Sequence, residues 1–327
     1  MTNLVDISIA LCTYNRKDML GKALNSLIHQ KTEGVFSYEI VIIDDGSTDG
    51  TKETIQEIAN KSQVPVRYFY EKGLGIAGAR NRSIHESRGD WVAFFDDDQL
   101  AEPDWLKELY QTANQKNALC VGGVRKLALQ SHELDKLHPI SRSYLGEIIV
   151  HRVAAKSNRK WFPDTGNTIV KRTVFDEVGF FDESLLFGSE DTDFFRKVRM
   201  AGVQVYQTPN AIVHHMISAY RLKDDYLKNV AQRNGMNSAL MDYRELGIFK
   251  SMFICITRIG YSIFITMPLL LKSYVFKDNQ EILARKLQIL KTIAYTRRLL
   301  AIVSPDLFSQ EDYFSKFNFR NERVSFN

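Results

Sequence analysis

Short apolar runs alternate with amphipathic runs over the first hundred residues, and this alternation most limits the folds open to the chain. Four runs have the length and the β-branched or aromatic content of buried strands, namely Asp6–Cys12, Tyr38–Ile43, Val66–Tyr70 and Trp91–Phe95. Between them lie helical spacings such as that of Lys17–His29. Apolar strands that alternate with helices are typical of a parallel sheet covered on both faces. We therefore predict an α/β fold with a Rossmann-like, mostly parallel sheet flanked by helices.

Two acidic clusters directly follow predicted strands. Asp44–Asp45 follows the second strand and Asp96–Asp98 follows the fourth. The carboxyl ends of parallel strands form the ligand crevice of such sheets. Adjacent carboxylates repel one another, and a divalent cation with a preference for oxygen ligands, Mg²⁺ or Mn²⁺, relieves that repulsion. We predict a metal site at Asp96–Asp98, with a solvated acidic turn as the alternative.

A third acidic cluster and a histidine pair lie further along the chain. Glu190 and Asp191 open a predicted helix, where Asp191 would either cap the helix or act as a general base. His214 and His215 end a predicted strand. Because adjacent residues on a strand point to opposite faces, we expect at most one of them to join the site.

The segment Gly73–Gly78 matches the G-x-G-x-x-G pattern of dinucleotide-binding proteins. It follows the third predicted strand instead of the first, and Arg80 and Arg82 come directly after it. We therefore disfavour a nicotinamide site. We predict instead a glycine-rich turn that brings a helix N-terminus and Arg80 close to a ligand phosphate.

Composition excludes wholesale disorder, a coiled coil and a multi-span membrane protein. Apolar residues make up 44% of the chain and charged residues 25%, as in ordinary globular proteins. A net charge of +4 gives no support for a nucleic-acid partner. Cys12, Cys120 and Cys255 are too few and too far apart for a disulfide framework or a zinc site. With no signal peptide recognised, we expect a cytoplasmic setting.

The C-terminal region differs from the rest of the chain. Leu246–Asn327 has 12 basic and 6 acidic residues, whereas the preceding residues have 31 and 33. Ser251–Leu271 is long enough to cross a bilayer, but Arg258 near its centre would cost roughly 2.5–3.5 kcal/mol and Pro268 interrupts the helix. We expect an interfacial or core-packed helix instead. It would contact an anionic membrane surface at the inner face of the cell membrane or form a homo-oligomer, and a solvated appendage is the alternative.

The motifs together resemble those of glycosyltransferase family 2, whose members have the GT-A fold. The matching elements, in the family's order, are Ile9–Arg16, Val41–Asp49, Gly78–Asn81, Phe95–Asp98, Thr165–Asn167 with Val178–Glu183, Gly188–Asp191 and Pro209–His215. The resemblance implies a GT-A domain over residues 1–220, with a nucleotide-sugar-binding half at 1–120 and an acceptor-binding half at 121–220. Residues 221–327 would form a helical C-terminal region.

The resemblance also implies a role for individual residues. The donor, which we expect to be a UDP-sugar, would contact Thr13, Tyr14, Asn15, Asp45, Arg80, Asp96 and Asp97. The metal, Mn²⁺ or Mg²⁺, would be bound by Asp98, Asp96 and His215, with His214 as the alternative ligand. Gly166 and Asn167 would line the site of the acceptor, a glycan or lipid-linked glycan. Asp191 would deprotonate the acceptor hydroxyl and Glu190 would orient the sugar or the acceptor.

These roles imply a metal-dependent transferase that inverts the anomeric centre, because a hydroxyl activated by one base displaces the nucleotide in a single step. Two alternatives remain at this stage. A nucleotidyltransferase would carry a basic glycine-rich loop after its first strand, where this chain has Cys12–Asn15. A catalytically silent sugar-nucleotide-binding or membrane-scaffold module would have no need of the intact acidic motifs.

Overall fold

The computed structural model describes residues 5–156, 163–185, 188–305 and 308. Backbone packing divides the chain into two compact units. The sheet unit contains residues 1–128, 147–185 and 190–216, and the helical unit contains residues 129–146, 186–189 and 217–327.

The sheet unit is built on one sheet, which has nine strands in the part of the chain that is described. They are β1 (Ile7–Thr13), β2 (Tyr38–Asp44), β3 (Val66–Tyr70), β4 (Trp91–Asp96), β5 (Gln99–Ala101), β6 (Cys120–Leu127), β7 (Ala154–Lys156), β8 (Asn167–Lys171) and β9 (Val205–His215). Their order is β3-β2-β1-β4-β8-β6-β9-β5, and β7 also pairs with β9. The β3-β2-β1-β4 strands and the β6-β9 pair are parallel, and the other pairings are antiparallel.

The helices are α1 (Lys17–Ile28), α2 (Thr51–Ala59), α3 (Gly75–Glu86), α4 (Trp105–Lys116), α5 (Ser131–Leu134), α6 (Pro139–Tyr144), α7 (Arg172–Val178), α8 (Glu190–Met200), α9 (Asp224–Tyr261), α10 (Met267–Phe276) and α11 (Asn279–Val303). A 3₁₀ turn precedes α9 at Ala219–Leu222, and a π-helical turn at Ser262–Thr266 joins α9 to α10. Gly247, with φ 73°, interrupts α9.

Two apolar layers, one on each face of the sheet, form the core of the sheet unit. One includes Leu24 of α1 and Trp105 of α4 packed against β1 and β2. The other includes Phe94 of β4, Phe175 of α7 and Phe194 of α8. All seven residues of β2 are buried, as expected for a strand covered on both faces. The sheet with helices on both faces is therefore the one expected from the sequence.

The register of the strands brings the polar motifs to one edge of the sheet. Thr13 pairs with Asp44 at the end of β1 and β2, and Cys12 pairs with Asp96 at the end of β4. Farther along the sheet, Gln99 of β5 pairs with His215 of β9. Asp96–Asp98, which we call the DDD motif, runs from the end of β4 to the start of β5 and thus lies beside the histidines that end β9.

One strand differs from its sequence-based expectation. A proline favours a break between strands, whereas β9 runs through Pro209 without one. The register of β6 against β9 shifts between Gly122 and Val124, and this irregularity accommodates a residue that cannot donate a ladder hydrogen bond.

The helical unit includes a segment that the sequence assigned to the catalytic domain. Residues 129–146, with α5 and α6, group with the C-terminal helices. His138 Nε2 lies 2.9 Å from a carboxylate oxygen of Glu281, and Gln280 donates a 3.0 Å hydrogen bond to the carbonyl of Asp135. Polar contacts between residues so far apart leave no hydrophobic periodicity in the sequence. The sequence pattern therefore could not predict that residues 129–146 pack with the C-terminal helices.

By length and composition alone, one helix among the described residues could cross a membrane, within Asp224–Phe276. The expectation of a core-packed helix is wrong for this segment, because only 11% of its most apolar stretch is buried.

Candidate active site

Short hydrogen bonds tie the end of β1 to the residues that follow β4 and β2. The hydroxyl of Thr13 donates to a carboxylate oxygen of Asp97 at 2.8 Å. Asn15, with φ 48°, accepts from the amide of Thr48 and donates its own amide to the Ser47 hydroxyl, both at 2.8 Å. Tyr14 lies half-buried between these two residues. The predicted donor-binding residues Thr13, Tyr14 and Asn15 thus lie together at the expected edge of the sheet.

Asp45 holds the glycine-rich turn that precedes α3. Its carboxylate accepts backbone hydrogen bonds from Gly73 and Leu74 at 2.8 Å and from Gly75 at 3.0 Å. The backbone amides of the turn are therefore bound by Asp45, and the approach of the α3 N-terminus and Arg80 to a ligand phosphate stays a prediction. A hydrogen bond from Asp45 to the nucleotide base stays a prediction. The same carboxylate already positions the glycine-rich turn.

Asp98 and His215 form the centre of the predicted metal site. The Nε2 atom of His215 lies 3.4 Å from Oδ2 of Asp98, and Arg16 Nη1 lies 3.6 Å from the same oxygen. His214 faces the other way, with Nε2 2.9 Å from Glu102. Of the two histidines, the structure therefore brings His215 to Asp98, as the alternation of strand side chains requires.

The donors present fit a hard divalent cation that is bound partly by substrate. No group of three or more His, Cys, Asp or Glu residues able to hold a metal is found in the described parts of the chain. Mg²⁺ and Mn²⁺ sites in nucleotide enzymes commonly use one or two protein ligands, with waters and substrate phosphates for the remainder. The Asp98–His215 pair matches that pattern. Asp97 next to Asp98 is buried and accepts a hydrogen bond from Thr13, and its contact with the donor stays a prediction.

Six charged residues, which we call the carboxylate–arginine cluster, gather next to the DDD motif. They are Arg80, Asp96, Arg125, Asp164, Glu190 and Asp191. Arg80 pairs with Glu190 and lies 3.7 Å from Asp96, while Arg125 lies 2.5 Å from Asp164 and 4.0 Å from Asp96. Four acids against two bases leave the cluster with excess negative charge.

This excess of negative charge and the burial of the cluster shift its pKa values. Burial, followed by the charge of Glu190, raises the pKa of Asp191 to about 7 despite the opposing charge of Arg80. Burial also raises the pKa of Asp96 to about 6, with Arg80 opposing the shift and Asp98 adding to it. For Arg80, burial works against the charged form, but Glu190 and Asp96 outweigh it and the pKa rises.

Glu190 and Asp191 occupy the first turn of α8. Gly188 and Ser189 before the helix both have positive φ, 89° and 73°, and a left-handed serine marks a strained turn of the kind found at functional sites. Glu190 is buried with Oε2 lacking a hydrogen-bond partner in the described structure, although Oε1 pairs with Arg80. Oδ1 of Asp191 accepts a 2.6 Å hydrogen bond from the amide of Thr192 in its own helix.

Gly166 fits against the cluster because it lacks a side chain. A Cβ atom there would lie 2.5 Å from both Asp96 Oδ2 and Gln99 Nε2. Asn167 has a structural role, and its contact with the acceptor stays a prediction. Its buried amide donates to the carbonyls of Val124 and Ala211 and accepts from Trp105, so it holds β8 to its neighbours.

Sequence interpretation missed three residues of this site. Arg16 ends the matched Ile9–Arg16 motif, and Asp164 directly precedes the matched Thr165–Asn167 motif, so both stood beside a visible signal. No sequence signal marked Arg125. It lies near Asp96 because β6 pairs with β8 and β8 pairs with β4.

Comparison with known proteins adds a family match. The family described as Glycosyl transferase family 2 matches residues 8–179. Among curated proteins, a cholesterol galactosyltransferase of Borreliella burgdorferi is 30% identical over 112 residues, which are 34% of this chain. The chain spans about a third of the length of that relative, since the match covers 30% of it.

Two solved structures share the fold over most of their length. A mannosyltransferase from Pyrobaculum calidifontis, in complex with GDP-mannose and Mn²⁺, superposes with a TM-score of 0.61 at 16% identity, covering 91% of this chain and 88% of that one. S. aureus TarS residues 1–349, in complex with UDP-GlcNAc, gives 0.52 at 14% identity, covering 92% of each. At such identities these likenesses show the fold alone, and it is the GT-A fold.

Proposed function

Because this chain belongs to glycosyl transferase family 2 and is therefore a glycosyltransferase, we propose that it moves a sugar from a nucleotide sugar to an acceptor hydroxyl with inversion. One observation carries the proposal. Two acidic residues at the start of α8, Glu190 and Asp191, meet Arg80 and Asp96 at the carboxyl edge of the sheet. This proximity supports the proposal, in which the nucleotide-binding and proton-accepting residues of a single displacement would share one crevice.

Asp191 is the proposed general base. An acceptor hydroxyl is a poor nucleophile at neutral pH, and a base is most effective when its pKa lies near the working pH. Burial and the neighbouring Glu190 raise the pKa of Asp191 to about 7, which meets that requirement. Its carboxylate would take the acceptor proton as the bond to the anomeric carbon forms.

Glu190 and Arg80 are the proposed positioning pair. Glu190 uses Oε1 for Arg80 and leaves Oε2 for a hydroxyl of the sugar or acceptor, which would satisfy an otherwise unpartnered buried oxygen. Arg80, held by Glu190 and Asp96, would face the diphosphate of the donor. A guanidinium held by two carboxylates loses little further freedom when the donor binds.

Asp98 and His215 would hold the divalent cation, with Asp96 nearer the ribose or the sugar. When bound, Mn²⁺ or Mg²⁺ supplies neutralisation of the charge on the leaving nucleoside diphosphate. We propose a UDP-sugar as donor. The UDP-GlcNAc complex of a protein with this fold supports that choice, and the GDP-mannose complex of another requires that it be tested.

The proposed acceptor is a glycan or a lipid-linked glycan, and the proposed location is cytoplasmic and peripheral at the inner face of the cell membrane. A relative that is named for galactosyl transfer to cholesterol, a lipid, supports an acceptor at a membrane. The exposed apolar helix of the helical unit supports the same placement. A homo-oligomer is the other proposed use of that helix.

A donor panel tests this function. Nucleotide release is measured with UDP-, GDP- and dTDP-sugars, with and without a glycan acceptor, and product configuration is read by NMR. We expect release with one nucleotide class and an inverted anomeric centre, loss of release in EDTA, and recovery with Mn²⁺ or Mg²⁺. A protein that binds a nucleotide sugar and releases nothing would be a binding module, and full activity in EDTA would remove the metal from the account.

A further inference from the structure

The helical unit carries an exposed stripe of large apolar side chains, which we call the apolar stripe. It comprises Phe249, Phe253, Ile256, Phe264, Leu271 and Val275. Their exposed fractions run from 61% for Leu271 to 85% for Phe249. The spacing of three, four, seven or eight residues is that of one face of a helix. A face of this length is rare on a protein that is surrounded by water alone.

The opposite face of the same helices is small and polar. Ser251, Cys255, Thr266 and Ser273 are buried there. Cys255 Sγ lies 3.3 Å from the Thr296 hydroxyl of α11. A water-soluble helix buries its large apolar residues and exposes its polar ones. Residues 249–276 show the reverse pattern, apart from the buried Leu270, and this is how helices pack against one another in lipid.

Polar pairing continues along α9 and α11. Ser262 donates a 3.0 Å hydrogen bond to Thr292 of α11. Arg258, the one charge within Ser251–Leu271, also turns inward, with its guanidinium 4.5 Å from the ring of Tyr295 and 3.9 Å from Asp242. The one charge within Ser251–Leu271 therefore faces protein, and the exposed charges nearest the stripe are those of Lys250 and Lys272 at its flanks.

The charges beside the stripe favour an anionic covering. Residues 246–277 contain four basic residues and no acidic one. Lys272 lies over the ring of Phe276 and Lys286 over that of Tyr274, at 5.8 and 5.5 Å from the ring centroids. Lysine next to aromatic rings suits the boundary between headgroups and acyl chains. Two copies of the chain facing each other through this stripe would instead oppose like charges.

The partner helix α11 fixes the orientation. Its basic residues are spread along its whole length, namely Arg285, Lys286, Lys291, Arg297 and Arg298. Because α11 lies beside α9, a perpendicular arrangement would carry these charges through the hydrocarbon, where each is costly. An arrangement parallel to the membrane keeps them at the level of the headgroups and the protein.

We propose that the apolar stripe inserts into one leaflet of an anionic bilayer, with α9, α10 and α11 parallel to the membrane plane. A groove of about 520 Å³, lined by Ile259, Ile263, Ile293 and Leu300 among others, continues the same apolar surface onto α11. This inference specifies how the protein would contact the membrane. It rests on the proposed function only in that the function explains why the enzyme would be located at a membrane.

Vesicle flotation of the full chain tests the proposal. Vesicles of phosphatidylcholine are compared with vesicles that also contain phosphatidylglycerol. We expect the bound fraction to rise about tenfold or more with the anionic lipid and to fall again at high salt. Phe253→Glu and Phe264→Glu are each expected to lower binding about tenfold or more. Val35→Glu, at a residue 53% exposed in the sheet unit, is the matched control and should float like the wild type.

Three results would overturn the proposal: a wild type that does not float with anionic vesicles, glutamate variants that float like the wild type, or a soluble dimer that the variants separate. The last would show that a second copy covers the stripe. Probes at Phe253→Cys, Phe264→Cys and Val275→Cys should report one shallow depth, whereas a deep central probe would show a span. Nucleotide release on a soluble acceptor, measured in the same samples, separates failure of this inference from failure of the proposed function.

Discussion

The two units of this protein distribute polarity in opposite ways. The sheet unit buries its aromatic and aliphatic side chains in two layers and collects its charges in a crevice at the carboxyl ends of the strands. Residues 249–276 of the helical unit bury hydroxyl groups and expose Phe, Ile and Val. The first arrangement is the one expected for a unit surrounded by water. The second is the arrangement on which the proposal of membrane insertion rests.

A pair of glycine substitutions separates the two units most strongly. Gly166→Ala places a Cβ 2.5 Å from the carboxylate of Asp96, so we expect turnover to fall about 100-fold, as a displacement of about 1 Å at a reacting centre does. Gly260→Ala meets no atom within 4 Å in the helical unit and should leave turnover unchanged. Steady-state nucleotide release measures both. Equal losses would mean that the cluster around Gly166 is not the reaction centre.

Large-to-small substitutions compare the two apolar surfaces by stability. Leu24→Ala opens a cavity in a fully buried layer and should lower the free energy of unfolding by about 2–5 kcal/mol. Phe264→Ala removes a side chain that is 76% exposed and should change it by less than about 0.5 kcal/mol in lipid-free solution. Urea unfolding followed by circular dichroism distinguishes them. A large loss for Phe264→Ala would mean that protein already covers the stripe.

The pH dependence of turnover tests the raised pKa of Asp191 in the charged crevice. A base acts when deprotonated, so with the pKa of Asp191 raised to about 7 we expect kcat/KM to rise about tenfold per pH unit below that value and then to level off. Folding responds in the opposite sense. A carboxyl whose pKa is raised on folding destabilises the native state as pH rises from its unfolded pKa through about 7. A profile that is flat between pH 5 and 8 contradicts a base with that pKa.

Asp164→Asn is expected to have the smallest effect of these substitutions. It is also the most specific test of the electrostatic coupling within the carboxylate–arginine cluster. The negative charge of Asp164 raises the pKa of Asp191, so its removal should move the acidic limb of the profile to lower pH. Asp176→Asn, at an exposed residue of α7, is the matched control and should leave the limb in place. A limb that does not move for Asp164→Asn would place Asp164 outside the field felt by the base.

Local pattern was enough to predict most of the fold and part of the site. The helix-flanked sheet follows from apolar runs, and the edge that carries Asp96 and Asp98 follows from where those runs end. Arg125 and the structural use of Asn167 could not be predicted, because each depends on which strand lies beside which. The inverted face of α9 is equally invisible to composition, because a span, a core helix and an interfacial helix share the same residues. The division into residues 1–220 and 221–327 stays a prediction beside the packing units described above.

The central claim is that Asp191 accepts the acceptor proton in glycosyl transfer. It is tested most directly by measuring, for Asp191→Asn, both the turnover number and the dissociation constant of the donor that the wild type uses. We predict that turnover falls about 10²- to 10⁴-fold while donor affinity changes less than about threefold, because the base acts on the acceptor and not on the nucleotide. Turnover retained at the wild-type level would contradict the account.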